Sequence, residues 1–428
     1  MEDFCKNLIK TYNANLLDGA GIEFQKAFYK VSETKHKCIK DRNVLSDLIL
    51  NHLYVEQKPC PEFIGGPKTL TVHWKEEEQK MIYIFGETHS DKMDCEKFGE
   101  KANVEWDKPG SKKMSIEYFL SELIRTTDVF IDIYFEFPAY MKEPKKYEDS
   151  FEPFKPELRS NQLLEKFKKC VQYTSRQAKE CKLARIHFFD VRYEDNEGYN
   201  EGVNDASWFK MKAETILKLN YLSNIDKITK LKKILTNDQR IIKVLNELNL
   251  SSSKDFWLGQ IKKNKYAEKE IKNSYLSAEI MIFIEKEMED LEKYLNKCKT
   301  HVSNILNPEI DNDSFLQSFE FVYYLIGLIN TIVADVYTLS RVFKIFKLEK
   351  KPYEGASFND QPSQPHNIIV YAGDIHAERY RRFLESVGFQ KIASSGGSLE
   401  DPIHCLNMKT IRQPFFSFWP MTIFNTQL

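Results

Sequence analysis

Two short stretches of this chain place an acid and an imidazole two residues apart, each directly after a glycine. One is Gly86-Glu87-Thr88-His89, at the end of "MIYIF"; the other is Gly373-Asp374-Ile375-His376, at the end of "IIVYA". A glycine where a strand ends lets the backbone turn sharply or a ligand come close, and ligands of open α/β sheets sit outside the carboxyl ends of the strands. An acid and a histidine there can both face the crevice, as metal ligands or as a base oriented by a carboxylate. Composition alone predicts roughly 0.05 copies of G-[DE]-x-H in a chain like this one, so the repetition carries information. A single copy would read as a histidine that caps the following helix.

Further residues join the same list. Glu136 ends "DVFIDIYFEF", and an acid after so apolar a run needs a partner if it is buried; the plainer reading is a surface carboxylate. Asp190 and Arg192 in "HFFDVRYED" are again two apart and could equally form an ion pair beneath a sheet. His187 and His73 lie inside strand patterns and read as core imidazoles with hydrogen-bond partners, whereas His404 follows the loop-like "SGGSLEDPI". No lysine of a phosphate loop follows Gly396-Gly397, and neither G-x-G-x-x-G nor G-x-S-x-G occurs, which leaves nucleotide binding and a serine nucleophile without support.

The elements that have to hold these residues alternate in type. "TLTVHW" and "MIYIF", joined by "KEEEQK", predict a hairpin. Ser115 followed by Ile116, Phe119, Leu120, Leu123 and Ile124 predicts a capped amphipathic helix, "DVFIDIYFEF" a strand, Leu163 to Val171 another helix and "RIHFFDV" another strand. Strand and helix in turn predict an α/β layer. From residue 205 to about 347 only helical spacing remains. After the Pro- and Ser-rich "KPYEGASFNDQPSQPHN", the strand "IIVYAGDIH" leads into a helix with Tyr380, Phe383, Leu384 and Val387 on one face and Gly388 at its end. The expected divisions are a mostly helical N-terminal extension over 1–66, a first α/β half over 67–204, a helical insertion over 205–350 and a second α/β half over 351–428.

Composition narrows the partners. With 428 residues, net charge −1 and 42% hydrophobic residues, the chain can bury a large core and gives no electrostatic case for nucleic acid or acidic membranes. The uncharged stretch "FVYYLIGLINTIVA", residues 321–334, is closed by Glu320 and Asp335 at 14 residues, short of the roughly 20 a bilayer needs, and predicts a buried helix. Eight scattered cysteines without a CxxC pair read as reduced thiols, and the acidic N-terminus lacks a signal-peptide pattern, so cytoplasm is the expected compartment.

Paired GxxH motifs that each end a strand, with a strand-end acid between them, resemble the superfamily of the Tiki and TraB families, the erythromycin esterases and the ChaN-like haem-binding proteins. The resemblance covers roughly residues 68–200 and 330–395. It implies an α/β fold, a central mixed sheet flanked by helices with a large helical insertion, in which Gly86, Glu87, His89, Glu136, Gly373, Asp374 and His376 line one site. Asp190, Arg192 and Arg341, the last in "DVYTLSRVF" on a helix before the second motif, would flank it. The Tiki branch implies a hydrolase of peptides using a divalent metal such as Mn, Co or Zn, held by His89, Glu136 and His376, with Glu87 activating water. The esterase branch implies metal-free hydrolysis with a histidine base and an arginine steadying the oxyanion. An acid in both motifs departs from the GTxH of TraB and leans towards the esterase and ChaN side. The rivals are haem or small-ligand binding, and a non-catalytic virion-associated or host-interaction protein that keeps the fold; abundant Lys, Ile and Asn suit the AT-rich genome of a large DNA virus.

Overall fold

The computed structural model describes residues 58–88, 95, 106–107, 111–127, 129–138, 167, 183–192, 205–217, 219, 223–250, 253–289, 291–346, 362–397 and 403–416. Nine strands are formed among these: β1 (Phe63–Gly65), β2 (Thr69–Lys75), β3 (Lys80–Glu87), β4 (Lys113–Ser115), β5 (Ile131–Pro138), β6 (Ala184–Asp190), β7 (Asn367–Gly373), β8 (Gln390–Gly396) and β9 (Cys405–Asn407). Six make a mixed sheet in the order β6-β5-β7-β3-β2-β8, and β4-β1-β9 make a small second one. In the larger sheet β6, β5, β7 and β3 run parallel, and β2 runs antiparallel to both of its neighbours, β3 and β8. The expected hairpin is β2–β3, with Trp74 opposite Met81. β1 lies near the end of the expected, mostly helical extension over 1–66, of which residues 1–57 lie outside the described ones.

Both faces of the parallel strands are buried, which is why they read as nearly unbroken apolar runs. On one face Ile82, Ile84, Tyr134, Ile368, Val370 and Ala372 pack into the larger core, together with the helices that follow β6. On the other, Tyr83, Phe85, Ile133, Phe135, Ile369 and Tyr371 meet α1 (Ile116–Thr126). Ser115 caps α1, its Oγ accepting from the Tyr118 N–H at 3.2 Å and donating to Asp107 at 2.8 Å. Ser115→Ala is therefore expected to cost about 1–2 kcal/mol in urea unfolding, with little change in m-value.

Between β6 and β7 the described chain is helical: α2 (Asp205–Leu217), α3 (Asn224–Asn237), α4 (Gln239–Leu250), α5 (Ser253–Lys263), α6 (Lys265–Ile271), α7 (Ser277–Glu289), α8 (Glu292–Leu306) and α9 (Asn312–Val342). α9 spans 31 residues and is long and apolar enough to cross a membrane, but 61% of its most apolar window is buried inside the molecule. Packing against the sheet and the neighbouring helices thus accounts for its hydrophobicity. After β7, α10 (Asp374–Ser386) starts without a linker and ends as expected, with Gly388 at φ 88° in the left-handed region.

The cysteines correct the sequence reading. Cys95 and Cys405 form a disulfide across 310 positions, with Cα atoms 5.2 Å apart. Pairing of β1 with β9 carries Cys405 to this place, a convergence that cysteine spacing could not reveal. Cys60 and Cys298 are free, and Cys5, Cys38, Cys170 and Cys181 lie outside the described residues. Disulfides persist in oxidising surroundings, so the cytoplasmic expectation loses its cysteine argument.

Candidate functional site

Strand register brings the two motifs together. β3 and β7 are parallel neighbours with Gly86 opposite Ala372 and Glu87 opposite Gly373, so both motifs leave the sheet at one edge, offset by a single residue. β5 flanks β7 on its other side and delivers Glu136 to the same edge. Glu136 Oε2 accepts the Gly373 N–H at 2.7 Å, and its Oε1 lies 3.2 Å from His376 Nε2. The second motif and the strand-end acid therefore share one place. His89 lies outside the described residues.

From Glu136 a chain of alternating charges extends in both directions. Arg192 reaches Glu136 Oε1 at 2.9 Å and Asp190 Oδ1 at 2.7 Å. His376 Nδ1 lies 2.5 Å from Asp335 Oδ1, and Arg379 pairs with the second oxygen of Asp335. Glu287 on α7 closes the row, 3.8 Å from Arg379 and 2.6 Å from Arg382. Four carboxylates stand against three guanidiniums, and a proton on His376 restores balance. Burial alone would push the His376 pKa down, but the carboxylates of Asp335 and Glu136 outweigh it and hold the imidazole up to about 9. Burial would likewise raise Asp335, which is fully buried, yet His376 and Arg379 keep it below the usual carboxylate range.

Asp374 belongs to a second cluster at the same edge. Its Oδ1 accepts from the Thr69 hydroxyl at 2.7 Å, and the Arg381 guanidinium donates to Thr69 Oγ1 at 2.6 Å. Gly86 makes this possible: a Cβ there would lie 1.8 Å from Asp374 Oδ1 and 2.4 Å from Thr69 Oγ1. Glu87 turns to the opposite face of the sheet, where it accepts from the buried Tyr371 hydroxyl. By the alternation of β3, that separates Glu87 from Glu136.

Arg341 is not part of this constellation, contrary to the expectation drawn from resemblance. It contacts His187 Nδ1 at 2.9 Å and Glu270 at 3.3 Å, while its carbonyl accepts from the Tyr134 hydroxyl. Six residues of helix separate it from Asp335, a rise of about 9 Å that carries it towards the amino ends of the strands. There His187 also meets Asp132 at 2.8 Å, and Asp132 binds Arg185 at 2.5 Å. Burial, aided by Arg341, pushes the His187 pKa down to about 3, so this imidazole is neutral and serves as the core histidine that its strand position suggests. His73 is similar: it is buried, its Nε2 3.1 Å from Thr71 Oγ1.

Sequence reasoning passed over Asp335, Arg379, Thr69 and Tyr371. Asp335 left a signal, since it lies one turn from Ile332 and Leu339 on a buried stripe, where a carboxylate needs a cation. The other three are ordinary residue types whose importance arises only from cross-strand and helix-to-sheet contacts. No family model, curated protein or solved structure matches the chain.

Proposed function

We propose that this chain is a hydrolase of ester or peptide bonds whose site lies at the carboxyl edge of β5, β7 and β3. The observation that supports this reading is the meeting of Glu136 with Gly373 and His376, which follow it by more than 230 positions in sequence, where the resemblance to GxxH proteins expects a site. Arg192 stands beside Glu136 to steady negative charge on a substrate oxygen, and Asp335 orients His376 as a proton donor or acceptor. Supporting the metal-free branch is the guanidinium of Arg192 on Glu136 Oε1, a fixed cation where a divalent ion would need the same oxygen. Among the described residues no group of three His, Cys, Asp or Glu is arranged for a metal, and His89, the third ligand that the Tiki branch implies, lies outside them.

The rival, a scaffold that keeps the fold without turnover, draws on one observation: both ring nitrogens of His376 are already engaged by carboxylates. A panel of p-nitrophenyl esters and fluorogenic peptides, tested with and without EDTA, separates the two. Turnover indifferent to EDTA is expected, and it is expected to vanish in His376→Ala and Glu136→Gln variants that keep the wild-type circular dichroism. A wild-type chain inert towards every substrate would leave the scaffold. Loss of turnover with EDTA, or a Soret band in the purified protein, would favour the metal or haem readings instead.

A further inference from the structure

Asp374 presents an acceptor that the protein leaves unused. The residue is 3% exposed, Oδ1 is committed to Thr69, and Oδ2 is buried without a hydrogen-bond partner. A buried carboxylate oxygen normally has a donor, and one without a donor calls for a ligand or an ordered water. Three features keep the group in place. Thr69 bonds Oδ1 and is itself bonded by Arg381; Gly86 removes the one Cβ that would displace it; and Asp374 occupies the first turn of α10, where the helix dipole favours a carboxylate. This orphan oxygen belongs to the residue directly after Gly373, whose N–H binds Glu136.

We propose that Asp374 Oδ2 holds the water that attacks the substrate, an inference that rests on the hydrolase reading above. In the step it performs, the water oxygen bonds to the carbonyl carbon while one water proton passes to Asp374 Oδ2 and the carbonyl π pair moves onto the oxygen. On collapse of the tetrahedral species the bond to the leaving oxygen or nitrogen breaks, and the leaving atom takes a proton from His376. The proton on Asp374 returns to His376 through solvent, so the cycle closes without any other reactant. Ile375, 56% exposed between the two buried polar residues, leaves an apolar side chain at the surface beside them.

The test uses the full chain and two readouts. A high-resolution crystal structure is expected to show a water about 2.6–3.2 Å from Oδ2. On the ester that wild type hydrolyses best, Asp374→Asn is expected to lower kcat by about a hundredfold or more with KM little changed, since the amide keeps the shape and loses the proton acceptor. Thr69→Val, which frees Oδ1 without touching Oδ2, keeps the experiment readable if Asp374→Asn fails to fold, and is expected to lower kcat by about tenfold. A dry Oδ2, a protein donor on it, or turnover within about threefold of wild type in Asp374→Asn overturns the inference and leaves the hydrolase standing. Absence of turnover in wild type, read before any variant, overturns the hydrolase and this inference together.

Discussion

Asp335→Ala is expected to lower stability by about 3–5 kcal/mol in urea unfolding at neutral pH, among the largest effects of any single change in this molecule. The carboxylate is fully buried and binds two cations, His376 at 2.5 Å and Arg379. Alanine would strand both of them inside the protein, and an uncompensated buried charge costs more than the pair contributed. Asp335→Asn should cost less, because the amide oxygen still accepts one bond. Replacing Asp335 and Arg379 together should cost less than the two single changes added, and that coupling distinguishes the ion pair from mere loss of packing. A change below about 1 kcal/mol in Asp335→Ala would mean that the row of charges does not hold these elements.

His376→Gln should alter how stability depends on pH. The folded imidazole titrates at about 9 against an ordinary value of 6.5, so the folded state binds its proton more tightly than the unfolded chain does. The resulting stabilisation is complete below about 6.5 and disappears as pH rises through about 9. Wild type should therefore lose stability across that window, and the glutamine variant, starting lower, should lose much less. Chemical unfolding at half-unit pH steps measures both curves. Parallel curves would refute the imidazolium and, with it, the electrical balance of the row from Asp190 to Glu287.

Some of this architecture could be read directly from the residues. Strands β3, β5, β6 and β7 are hydrophobic because both of their faces are covered, and α1 and α10 announce themselves through Ser115 and Gly388. The repeated glycine, acid and histidine gave the parallel pairing of β3 with β7 a visible trace. What stayed hidden depends on which face a residue takes and how far along an element it lies. Glu87 and Glu136 look alike as strand-end acids, but one pairs with Tyr371 below the sheet and the other with His376 above it. Arg341 has a suitable neighbourhood in sequence, and the rise of the helix then carries it to the wrong end of the strands; Asp335, six residues earlier, takes the position next to the histidine. Cys95 and Cys405 bear no mark of each other at all.

The order of the large sheet has a consequence for how the molecule is made. β7 fills the slot between β3 and β5, although its residues emerge some 230 positions after those of β5 and at least 280 after those of β3. A growing chain halted anywhere in the helical insertion thus carries two apolar strands, "MIYIF" and "IDIYF", facing a gap that nothing yet made can fill. Those open edges invite pairing with other chains, which makes the interval between residues 138 and 367 the one in which protection by a chaperone matters most.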